Sequence, residues 1–174
     1  MKKHHALFLL IALLAASFTI SARAEESDLP EHGLAAGRGT AEADEDEGPP
    51  SKLPFAKFKQ AVAKVAMPGF QRMPEMTAEG DHGLILIGEN GSGINIMAQR
   101  ASVGEQFEKG AAGKLARFKH KGRDAFFAQI TDDEGEDMAF IVVKYPEHNM
   151  GLFITAKPVI TREELMKVLA QIEL

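Results

Sequence analysis

The chain has 174 residues, no cysteine, and 25 acidic against 20 basic side chains, for a formal net charge of −5. Without cysteine, disulfide staples and lipid-modified cysteine are both excluded, so a core alone must hold any folded part.

Lys2 and Lys3 precede the mostly apolar run Ala6–Ile20, which ends in Ser21-Ala22-Arg23-Ala24. A charged start, a short apolar stretch and an A-x-A exit read as a secretory signal peptide over 1–24. Fifteen helical residues span only about 22 Å, short of a ~30 Å hydrocarbon core, so no membrane anchor is expected after processing. The expected compartment is the periplasm.

Residues 25–50 concentrate the acidity: Glu25, Glu26, Asp28, Glu31, Glu42, Asp44, Glu45, Asp46 and Glu47 stand against one base, Arg38. With only Leu29 and Leu34 as large apolar residues, this stretch is expected to be a disordered acidic linker. Residues 51–174 carry equal numbers of acids and bases and match one small domain in size.

Phe55, Phe58, Val62 and Val65 recur at helical spacing, and Pro68-Gly69 ends the pattern. "GLILIG" (83–88) and Ile94–Ala98, joined by "ENGSG", predict a hairpin. Ser102-x-x-Glu105 has capping-box spacing ahead of Phe107, Ala111 and Leu115, which predicts a middle helix. "DAFFAQI" (124–130), "MAFIVVKY" (138–145) and "LFITA" (152–156) predict three further strands. Thr161-x-x-Glu164 caps a last helix with Leu165, Val168, Leu169 and Ile172 as its stripe. Strands and helices in separate runs predict α+β, with a mainly antiparallel sheet of about five strands and three helices packed on it.

Candidate chemistry is sparse. Met67, Met73 and Met76 crowd "MPGFQRMPEM", and a thioether copper site needs several sulfurs converging on one ion. Met73 and Met76 are an odd number of residues apart, so a plain strand would point them to opposite sides unless Pro74 turns the chain. Packing is the preferred reading, and no metal or cofactor is assigned. His32, His82, His120 and His148 are isolated, without paired-ligand spacing. "TDDEGED" (131–137) lacks the glycine and distal glutamate register of a calcium loop. No phosphate loop or nucleophile motif occurs, so no catalytic residue is assigned and the protein is read as not an enzyme.

The basic run 109–123 has the most surface character. Lys114, Arg117, Lys119, Lys121 and Arg123 are the candidate partner-binding residues, on a segment alternating like an exposed edge. Edge strands also carry lysine simply to block aggregation. The turn Glu147–Met150 is the second candidate surface.

"MPGF" before the sheet, "ASVGEQF" at the middle helix, "KGRDAFFAQI" after it, and "LFITA" leading to "TREELMKVLAQIEL" together resemble the PsbP-like and DcrB-like small domains of exported proteins. The likeness covers roughly 54–172. It implies an accessory or binding role without catalysis, and it transfers no site residue. The expected function is an exported accessory protein that binds a periplasmic protein or envelope component, as an assembly factor, inhibitor or immunity-type protein, with no nucleic-acid partner. The alternative is a small periplasmic ligand- or metal-binding protein using Met73, Met76, His82, His148 and Met150.

Overall fold

Strand patterning decides which faces are covered. The runs read as β7 (Asp137–Tyr145) and β8 (Met150–Lys157) are apolar on both sides, as strands covered on both faces must be. In the computed structural model, which describes residues 48–174 apart from Asn90, Ala112, Gly113, 132–134, Glu136 and Val159, these two strands lie at the centre of the sheet. The expected signal peptide, the acidic stretch up to residue 47 and most of the acidic turn 131–137 therefore fall outside the described residues.

The other elements are α1 (Phe55–Ala61), β1 (Phe70–Arg72), β2 (Met76–Ala78), β3 (Asp81–Gly88), β4 (Gly93–Arg100), α2 (Ala101–Gly110), β5 (Ala116–His120), β6 (Arg123–Thr131) and α3 (Arg162–Ala170). A 3-10 turn, Pro146–His148, joins β7 to β8. The sheet runs β1-β3-β4-β8-β7-β6-β5, with β2 also on β3, and every described pairing is antiparallel. α+β with three described helices is observed, but the sheet has eight strands rather than about five. The additions are β1 and β2, three residues each, and β5, the alternating basic edge.

Side chains of one register row share a face. Leu84, Ile96, Ile154, Ile141 and Phe127 form one such row. On that face they pack with Phe58, Ala61 and Val62 and with Leu165, Val168 and Leu169 in the main core, so α1 and α3 cover it. The opposite face carries the row Met97, Phe153, Val142 and Phe126, and α2 lies across its middle strands. Phe107 of α2 meets Phe140 and Phe153 edge-on, with ring centroids 5.3 and 5.4 Å apart.

The ends of the helices differ from expectation in two places. α3 has its capping box: the Glu164 N–H donates to Thr161 Oγ1 at 3.2 Å, and the Thr161 N–H donates to Glu164 Oε2 at 2.9 Å. α2 instead starts one residue before Ser102, with Arg100 at its N-cap and no side-chain cap bond. It also stops at Gly110, so Leu115 lies outside it. α1 is shorter than its apolar spacing suggests, and Arg72 Nη1 donates to the carbonyls of Val62 and Val65 just beyond its end, at 2.7 and 2.9 Å.

Candidate functional site

The β5–β6 hairpin turns on Lys121 and Gly122, both at positive φ (48° and 81°). Two such residues give the turn whose twist matches the flanking strands, and Gly122 takes its conformation at no steric cost. This fixes the outlook of the basic run. Register sets Arg117 opposite Phe126 and Lys119 opposite Asp124, on the α2 face, while Phe118 faces the main core.

A cleft opens on this face between the first half of α2 and the ends of β6, β7 and β8, with a volume of about 740 Å³. Gly104, Val142 and Gly151 form its apolar floor. Of the two glycines, only Gly151 is tightly packed. A Cβ on Gly151 would stand 3.0 Å from the Phe153 ring, and one on Gly104 would already touch Val142 and Phe153. Around the floor stand Glu105, Lys144, Arg123, Glu147, Asp124 and Lys121.

Most of these charges are paired within the protein. Arg123 lies over the Tyr145 ring, 4.5 Å from its centroid, and its Nε donates to Glu147 Oε1 at 3.1 Å. That guanidinium holds the Glu147 carboxyl below its ordinary range, while burial raises the Tyr145 phenol. Lys119 pairs with Asp124 at 2.6 Å. Lys121 Nζ reaches away to the Ile172 carbonyl beyond α3, at 2.9 Å. The neighbouring His120 has a buried Nε2 without a partner, and burial, Lys121 and Arg123 all pull its imidazole down.

Of the five candidate binding residues, Lys121 and Arg123 line the cleft and Arg117 and Lys119 share its face. Lys114 is exposed ahead of β5 and does not line it. The second candidate surface joins the first, because Glu147 stands on the rim of the same cleft. Sequence reasoning missed Glu105 as a rim residue, along with Asp124 and Lys144. Their signal lay in the fold, which brings acids from α2, β6 and the 3-10 turn against a run that has none of its own.

The alternative ligand set is not brought together. Met150 is buried in the main core, whereas Met76 pairs across from Gly83 on the other face. His82 is buried with both ring nitrogens engaged, Nε2 at 2.6 Å from the Leu53 carbonyl and Nδ1 at 2.9 Å from Thr77 Oγ1. Among the described residues no helix is long and apolar enough to cross a membrane.

Glu108 of α2 ties the helix to the sheet by meeting both Lys144 and Arg117. Those two cations, Lys144 foremost, hold its carboxyl below the ordinary value of 4.5 against the opposing effect of burial. A depressed acid contributes its stability above that ordinary value and loses it as pH falls through the lower folded value. Arg117 is 65% exposed, so solvent screening keeps the pair's contribution to about 1 kcal/mol or less. Glu108→Gln is therefore expected to lower stability by that amount near neutral pH and to match the parent in strong acid. Paired denaturation curves at the two pH values check it.

No family model, curated protein or solved structure matches this chain.

Proposed function

We propose that this is an exported, periplasmic accessory protein without catalytic activity, which binds a macromolecular partner of the envelope through the cleft beside α2. The observation that carries the reading is an apolar floor of Gly104, Val142 and Gly151 within a rim of largely paired charges. An apolar centre inside a polar rim is the usual anatomy of a protein–protein contact. The described lining residues combine this apolar floor with carboxylates and cations, a composition suited to recognition by shape and charge. The resemblance to PsbP-like and DcrB-like domains, with the accessory role it implies, points the same way. An assembly factor, an inhibitor and an immunity-type protein all fit this description.

The cleft's size favours a second reading, since about 740 Å³ is within the range of small-molecule sites, roughly 300–1,000 Å³. Native mass spectrometry of the protein taken from its own envelope separates the two. A bound species of several kilodaltons is expected. A bound mass of small-molecule size would transfer the cleft to the second reading, and no bound species at all would remove both. The rim gives a further expected result. Lys119→Glu should slow association several-fold and leave dissociation nearly unchanged, because peripheral charges steer encounter and are screened by salt.

A further inference from the structure

The broken edge of the sheet holds a different arrangement, independent of the cleft. β1 ends with Arg72 opposite Leu86, and the Met73 N–H donates to the Ile85 carbonyl at 2.9 Å, so Met73 stands opposite Ile85. β2 resumes with Met76 opposite Gly83. Three steps along the edge thus match two along β3, which is a β-bulge at Pro74-Glu75. The extra residue reverses the alternation and returns Met73 and Met76 to the same face. A plain strand would have sent them to opposite faces.

Gly83 is also opposite Met97 on β4. The row Met76–Gly83–Met97 therefore has a methionine on each side of a position without a side chain. Two strand spacings, roughly 10 Å, separate the two methionine backbones, and Met73 is about 7 Å along from Met76. A thioether on three rotatable bonds spans such a gap, so the three sulfurs can meet above Gly83. Met67, by contrast, packs against the main core on the other face.

A second observation comes from the next register position. Asp81 and Gln99 stand on the same face as Gly83 and Met97, with Gln99 Nε2 3.5 Å from Asp81 Oδ2. Asp81 Oδ1 and Gln99 Oε1 are both buried without a hydrogen-bond partner, and Gln99 is only 6% exposed. Orphaned buried oxygens are costly and call for a donor or a cation. Burial raises the Asp81 carboxyl, while Arg100, Gln99 and His82 pull it down. Soft thioether ligands select Cu(I) among the common metals.

We propose that Met73, Met76 and Met97 form a site for a soft monovalent cation, Cu(I), beside the orphaned oxygens of Asp81 and Gln99. Ag(I), a redox-inert ion of the same softness, is the probe. In the full mature protein with carbon-13-labelled methionine methyls, one equivalent of Ag(I) should shift the Met73, Met76 and Met97 signals together and leave Met67 and Met150 in place. Competition with a coloured Cu(I) chelator should then show at least 100-fold weaker binding in Met73→Leu/Met76→Leu. Methionine-to-leucine swaps conserve volume and usually cost under about 1.5 kcal/mol, so this variant should fold. If it does not, the parent spectrum decides alone. Unmoved signals, a diffuse response of all methionines, or undiminished Cu(I) binding in the folded double variant would overturn the site.

Discussion

Phe153→Ala is expected to cost about 3–5 kcal/mol, the range for a large aromatic removed from a core. Phe153 is 1% exposed, meets Phe107 edge-on, and is the side chain that a Cβ on Gly151 would meet first. Without it α2 loses its footing on the sheet, and the cleft loses the support beneath its floor. With no disulfide to hold it and a typical total of about 5–15 kcal/mol, such a loss threatens folding itself. The urea midpoint should fall sharply with little change in slope. Phe153→Leu, which refills much of the volume, should cost well under half as much. Amide exchange should quicken across α2 more than across α3, whose contacts lie on the other face. A loss below about 1 kcal/mol for Phe153→Ala would mean that the ring does not anchor α2.

His82→Ala is expected to cost about 3 kcal/mol, from two sources that a second variant separates. The His82 ring packs between Phe55 and Phe58, with centroids 5.3 and 5.7 Å away. Its Nε2 must carry the hydrogen towards the Leu53 carbonyl, because a carbonyl only accepts. His82→Phe keeps the aromatic packing and orphans that carbonyl, so it should cost about 1–2 kcal/mol. Equal losses for the two variants in denaturant titrations would assign the whole effect to the hydrogen bonds.

Much of this architecture can be read from the sequence. The five longer strands follow from apolar runs and alternation, and α3 from Thr161, Glu164 and its stripe. β1 and β2 escape because three residues are too few to establish a period, and the bulge at Pro74-Glu75 interrupts their alternation. The same bulge decides where Met73 and Met76 point, which spacing alone gets backwards. The basic run was legible as an edge, but its charge balance was not. Glu108, Asp124 and Glu147 meet its cations only after folding: Glu108 and Asp124 flank the run in sequence, and Glu147 comes from the 3-10 turn after β7. Gly151 gives no signal by itself, since its tight packing depends on where the Phe153 ring lies.

Site-specific photo-crosslinking in the envelope tests cleft binding most directly. A photoreactive side chain replaces Glu105 on the cleft rim in one variant and Lys57, exposed on α1 across the sheet, in another. The expected result is a covalent adduct with one macromolecule from position 105, reduced by Lys119→Glu, and none from position 57. No adduct from position 105, or an equally strong one from position 57, would contradict binding at the cleft.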